Sequence, residues 1–100
     1  MKLFLDDSRE FPKGGYECVR DTKTAKLLLS IMEFEFVTLD YSLGQDDETG
    51  LDVLVWMKEN DVFVPHINIH SSHIVGRQMM REFCEGNFPD SRITTNMLLK

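Results

Sequence analysis

The sequence predicts an α/β fold, a three-layer sandwich around a mostly parallel sheet of four or five strands. Three observations carry this reading. Apolar runs of strand length alternate with segments of helical spacing, the pattern of a parallel sheet with helical crossovers. A helix-patterned segment after Asp21 is followed almost at once by the strand run that contains Phe36, which reads as a right-handed βαβ unit. One hundred residues, 42% of them hydrophobic, suit a single core, so residues 1–100 are read as one domain.

The first strand is KLFL from Lys2. The second is YECVR from Tyr16, and only eight residues separate Asp7 from Tyr16, among them Pro12, Gly14 and Gly15. A helical crossover needs about a dozen residues or more. An antiparallel pair or an extended return would both fit. Eight extended residues reach about 26 Å, enough to run back along a short strand. The βαβ unit that follows decides for the extended return and a parallel pair. The first helix follows Asp21, a good N-cap, and puts Ala25, Leu28, Leu29 and Met32 on one face. FEFVTL from Phe34 is the third strand. The second helix starts at Thr49, with Asp52 three positions on as the acid of a capping box. Leu51, Val53, Leu54, Val55, Trp56 and Met57 give it the wide apolar stripe of a helix laid on a sheet. HINI from His66 is the fourth strand, and His66 on such a strand reads as structural. The third helix is expected to turn Val75, Met79, Met80 and Phe83 inward, stopping at Gly86 before Pro89. RITTNMLL is read as a fifth, edge strand.

Composition excludes several roles. No apolar run approaches the roughly 18 residues of a membrane span. The N-terminus, where MKLFL meets Asp6 and Asp7, is not a signal-peptide pattern. Cys18 and Cys84 make no disulfide framework and read as buried thiols of a cytoplasmic protein. A net charge of −6 without a basic block disfavours duplex nucleic acid, whose binding depends on phosphate neutralisation. A small phosphate-bearing ligand stays compatible, because a local site can oppose the global sign. The acids Asp46, Asp47 and Glu48 read as a solvated loop.

In open α/β sheets, ligands bind beyond the carboxyl ends of the strands. Asp6, Asp7, Ser8 and Arg9 follow the first strand. Asp40, Tyr41, Ser42 and Gly44 follow the third, and His70, Ser71, Ser72, His73 and then Arg77 follow the fourth. With parallel neighbours, all three groups share one rim. Clustered carboxylates repel unless a cation joins them, and a hard divalent ion bound to oxygens orients a phosphoryl group. A helix starting near His73 points free N–H groups at the same rim. Arg77 in its first turn is placed to grip a phosphate, and His70 to act as general acid or base.

These residues resemble a receiver domain of the response-regulator type, a flavodoxin-like fold. Asp6, Asp7, Asp40 and Ser71 match four of its positions: the ion-binding acids, the phosphorylated aspartate and the hydroxyl that holds the phosphoryl group. Its fifth-strand lysine has no match, since after Lys58 the chain has only Lys100. The first receiver helix is missing.

A closer resemblance is to the cyclic-phosphate processing receiver domain. LDDSR at Leu5 to Arg9, LDYSLG at Leu39 to Gly44, TG at Thr49 and HSSHIVGR at His70 to Arg77 carry it. Tyr41 and Ser42 stand where that pattern has His-Asp, and His73 where it has Asn. The resemblance implies a phosphoesterase-like hydrolase for a cyclic phosphate or phosphorylated nucleotide, such as an RNA-end-like cyclic phosphate. In that reading Asp6, Asp7 and Asp40 hold Mg²⁺ or Mn²⁺, and Asp40 and His70 are catalytic. Arg9, Ser71, Ser72, His73 and Arg77 bind the phosphate. The alternative is a non-catalytic receiver-like signalling or ligand-binding module.

Overall fold

A computed structural model describes residues 1–96. Its elements run β1 (Lys2–Leu5), β2 (Tyr16–Val19), α1 (Thr22–Ile31), β3 (Phe36–Leu39), α2 (Gly50–Glu59), β4 (His66–Ile69), α3 (Ile74–Asn87) and β5 (Arg92–Thr95). The sheet order is β2-β1-β3-β4-β5, and every neighbouring pair is parallel. The segment between β1 and β2 is indeed an extended return without a helix. The fifth strand exists as β5; Met97 to Leu99 of the expected run lie outside the described residues.

Side chains of a strand alternate between faces. Leu3, Leu5, Val37, Leu39, Ile67 and Ile69 join Ala25, Leu29, Val53, Leu54, Met57, Met80 and Cys84 in one buried cluster, so all three helices cover the same face. α2 lies between α1 and α3 and touches both. Each of the valine, leucine, isoleucine and methionine side chains contributes roughly 1.5–3 kcal/mol on burial. On the opposite face, Phe4, Thr38, Asn68 and Thr94 form one register row. There the extended return supplies the covering layer: Phe11 stands edge-on to Phe4, with ring centroids 6.5 Å apart.

The third helix departs from expectation. Val75 and Met79 are exposed, while Gly76, Met80 and Cys84 face inward and Phe83 is half-buried. The phase is set by the Met80–Cys84 pair at i, i+4 and by close approach at Gly76. Val75 and Met79 then rotate off the buried stripe. The helix also runs through Gly86 to Asn87. A glycine within a helix is a modest cost, and Phe88, buried in the core, fixes the real end.

The acids of the loop before α2 are not merely solvated. Asp46 accepts hydrogen bonds from the Thr22 backbone N–H (2.8 Å), the Thr22 hydroxyl (3.3 Å) and the Glu48 N–H (3.0 Å). Glu48 pairs with Lys26 at 2.6 Å. They anchor the loop to the start of α1. Asp52 accepts from the Thr49 N–H at 2.7 Å, as the capping-box spacing predicts. Cys84 is buried, Cys18 half-buried, and both are free thiols.

Candidate phosphate and metal site

Asp6 is the first residue beyond β1, and its N–H still donates to the Val19 carbonyl at 3.2 Å. Its side chain is fully buried. Oδ1 accepts from the N–H groups of Ser8 (2.9 Å) and Arg9 (3.0 Å), a local turn closed by an aspartate. Oδ2 lies 3.0 Å from His70 Nε2 and 3.4 Å from Arg9 Nε. Burial pushes the Asp6 carboxyl up, but the bonds from Arg9, Ser8 and His70 outweigh it and hold the group below its ordinary value. Arg20, unremarked in the sequence, donates to the carbonyls of Asp6 (2.9 Å) and Arg9 (2.7 Å). Its guanidinium also lies 4.0 Å over the Phe11 ring, so it pins the return segment to the end of β2.

Asp40 ends β3 in the same way, its N–H donating to the Leu5 carbonyl at 3.1 Å. Burial and the nearby Asp6 charge raise its pKa, while a hydrogen bond from Ser71 works in the opposite direction. Carboxylate oxygens of Asp6 and Asp40 and a ring nitrogen of His70 lie within 4.8 Å of one another. Asp7 stands apart from this group. It is half-buried against Gly44, which has φ of 60°, and a Cβ at Gly44 would run into its Oδ2. Gly44 therefore serves both the left-handed turn and room for Asp7.

His70 follows β4 and is buried, with both ring nitrogens engaged: Nε2 with Asp6 and Nδ1 with Thr38 Oγ1 at 2.6 Å. Burial lowers its pKa against the opposing pull of Asp6, so the ring is neutral near pH 7. Ser71 is also buried, and its Oγ accepts from the His73 N–H at 3.1 Å. His73 is the N-cap of α3, its Nδ1 accepting from the Gly76 N–H at 2.9 Å. Part of the His-Ser-Ser-His run is thus capping chemistry. Arg77, in the first turn of α3, donates to the Ser71 carbonyl at 2.9 Å.

The structure brings Asp6, Asp40, His70 and Ser71 into one cluster, with Arg9 at its edge. Arg9, Ser71, Ser72 and Arg77 also line an adjoining cleft of ≈ 740 Å³, walled on its apolar side by Phe4, Phe11 and Ile74. His73 faces Tyr41 instead. Asn96, past the end of β5, reaches the site by accepting from the Ser71 N–H at 3.1 Å. Nothing in the sequence alone marks Asn96 or Arg20, because each acts through backbone groups far away in the chain.

Fold and rim together define a receiver-like α/β domain: a parallel 2-1-3-4-5 sheet with an acid after β1 and another after β3 on one buried cluster. Residues 1–86 match the sequence profile of the cyclic-phosphate processing receiver domain, and the chain belongs to that family. Comparison with curated proteins finds no match. Among the described residues, no helix is long and apolar enough to cross a membrane.

Proposed function

We propose that the domain is a phosphoesterase-like module that processes a cyclic phosphate or a phosphorylated nucleotide with a divalent cation. One observation carries the reading: two carboxylates, one with its pKa raised by burial and by the other's charge, converge beside a cleft lined by two guanidiniums. A hard cation fits this oxygen-rich pair, because its charge offsets both the burial of the Asp40 carboxylate and the repulsion from Asp6. Asp6 and Asp40 are its ligands, and Asp7 completes the acidic rim. Mg²⁺ or Mn²⁺ bound there would supply charge neutralisation and polarisation of a phosphoryl oxygen. Arg9 and Arg77 orient the phosphate, with Ser72 and the N-terminal end of α3. Ser71 holds Asp40, and His70 holds Asp6 while keeping a ring proton at the rim.

A second reading is a phosphate-binding module without turnover. It is favoured by the engagement of both His70 nitrogens and of the Ser71 hydroxyl proton, which is given to Asp40, so that proton transfer is left without a free donor at those positions. Purified protein incubated with 2′,3′-cyclic nucleotides and terminal nucleoside phosphates, with Mn²⁺ or with EDTA, separates the two. Ion-dependent hydrolysis of one class is expected. Binding without hydrolysis across the panel selects the module, and neither binding nor hydrolysis overturns both.

A further inference from the structure

Beneath the rim, a row of polar side chains crosses the sheet on the face away from the helices. His66 Nε2 lies 2.8 Å from Thr94 Oγ1. Thr94 Oγ1 donates to Asn68 Oδ1 at 2.7 Å, and Asn68 Nδ2 donates to Thr38 Oγ1 at 2.9 Å. Thr38 Oγ1 lies 2.6 Å from His70 Nδ1, and His70 Nε2 lies 3.0 Å from Asp6 Oδ2. Thr38, Asn68 and Thr94 are register partners on β3, β4 and β5, which is why the chain is continuous. Thr38, Asn68 and His70 are buried.

The donors in this chain have a fixed sense. A hydroxyl has one proton to give. Thr94 gives its proton to the Asn68 carbonyl oxygen, so His66 Nε2 must carry the proton between them, whether His66 is neutral or charged. At the other end, Asp6 is an acceptor, so His70 Nε2 must carry its proton. A neutral ring protonated there has a bare Nδ1, which accepts the Thr38 proton. The reverse arrangement would set a lone pair of Nε2 against a carboxylate oxygen. It would also leave the buried Thr38 proton without a bonded acceptor among the described residues. Asn68 sets the polarity in the middle, because its amide has one end that only donates and one that only accepts.

We propose that Asn68 and Thr38 are positioning residues that fix His70 in the Nε2–H tautomer and thereby hold the Asp6 carboxylate in place, with Thr94 and His66 anchoring the chain from the far side of the sheet. On this assignment His70 presents a proton, not a lone pair, toward Asp6, and is not an ion ligand. The tautomer part stands on the chain alone. The consequence for ion binding rests on the reading of Asp6 as a ligand, since partners behind a metal ligand commonly matter 10–100-fold for affinity.

The test uses the full chain with ¹⁵N-labelled histidine, free of ions. Long-range ¹H–¹⁵N spectra of wild type should show His70 with a pyrrole-type Nε2 and a pyridine-type Nδ1. Thr38→Ser should keep that pattern. Thr38→Val, nearly equal in shape, should keep the proton on Nε2 through Asp6 but shift the Nδ1 resonance to that of an unbonded pyridine-type nitrogen, and weaken Mn²⁺ binding, measured by EPR, by about tenfold. Wild-type His70 protonated on Nδ1 overturns the proposal without need of any variant. A folded Thr38→Val protein whose Nδ1 resonance does not move overturns it too, because Thr38 would then not be bonded to that nitrogen. Should Thr38→Val not fold, the wild-type tautomer together with Asn68→Asp, expected to draw the Thr38 proton away and move the His70 proton to Nδ1, decides instead. Absence of Mn²⁺ binding in wild type would sink the functional reading while leaving the tautomer assignment to its own spectra.

Discussion

The Tyr41 ring lies 4.8 Å from the His73 ring at 31°, so two of the three positions that depart from the family pattern touch each other. The contact is possible because Gly76, in the first turn of α3, has no side chain; a Cβ there would meet the Tyr41 ring. A tyrosine at position 41 thus stacks on both the cap and the first turn of α3. Tyr41 thereby fills the joint between the β3 and β4 exits.

The glycines make this testable. Gly76→Ala should destabilise by about 1–3 kcal/mol, the usual range for overpacking. Gly86→Ala, also in α3 but with nothing within 4 Å of its added methyl, should stabilise by about 0.4–1 kcal/mol. Urea unfolding of both proteins checks the pair. Equal effects would mean that Tyr41 does not pack on Gly76.

Asp40 supplies a prediction with a definite sign. Its folded pKa is raised above the ordinary value of 3.8. Its contribution to stability is therefore fully present below that value and lost as pH rises through the folded pKa. Ion-free Asp40→Asn should melt higher than ion-free wild type at pH 7. The same variant should lose most of the gain from Mg²⁺ or Mn²⁺, which for wild type is about 1.4 kcal/mol at ten times Kd. Calorimetry with and without EDTA reads both.

Asp46 carries the opposite sign. Despite the upward push of its slight burial, the Thr22 and Glu48 N–H groups and the Thr22 hydroxyl hold its pKa below 3.8. That stability is present above pH 3.8 and is lost as pH falls through the lower folded value. Asp46→Ala should cost about 1 kcal/mol at pH 7, as for other lost helix-start acceptors. Urea melts below pH 3.8 should show a flatter acid-side decline in the variant than in wild type.

How far the site was legible follows from its geometry. Asp6, Asp40 and His70 each stand directly after a short apolar run, and parallel strands bring such positions together. The extended return was legible because eight residues leave no room for a crossover helix. The row under the site was harder to see. Its central members are the third residues of FVTL, HINI and RITT, and only in FVTL is that residue a lone polar position in an apolar run. That signal gains meaning only once the register aligns them. The phase of α3 was misjudged because Val75 and Met79 are hydrophobic, and hydrophobicity does not say which of two overlapping stripes meets the sheet. The loop acids were misjudged because their partner, Thr22, lies more than twenty residues away.

Phosphoacceptance is expected to be poor. β5 ends at Thr95 and is followed by Asn96, so among the described residues no lysine stands where receivers place theirs. Incubation with acetyl phosphate and Mg²⁺ should leave the intact mass nearly unchanged. A stoichiometric phosphoryl adduct, absent in Asp40→Asn, would move the assignment to signalling.

Arg77 is the sharpest probe of the cleft. Its place in the first turn of α3 sets a cation against the positive end of the helix dipole, which is unfavourable by a few tenths of a kcal/mol to about 1 kcal/mol. One nitrogen is used on the Ser71 carbonyl, a bond that steadies the joint. Arg77→Ala should lose that bond, at about 0.5–1.5 kcal/mol, and regain part of it from the relieved dipole, so the melting point should change little. Ligand binding has no such compensation. Loss of a charged hydrogen bond to phosphate should cost about 1.5–3 kcal/mol, read by calorimetric titration with a terminal or cyclic nucleoside phosphate. Arg77→Lys keeps the charge but not the planar fork, and should recover only part of the affinity. Wild-type affinity in Arg77→Ala would mean that the guanidinium serves the Ser71 carbonyl alone and that the cleft takes its phosphate, if any, through Arg9.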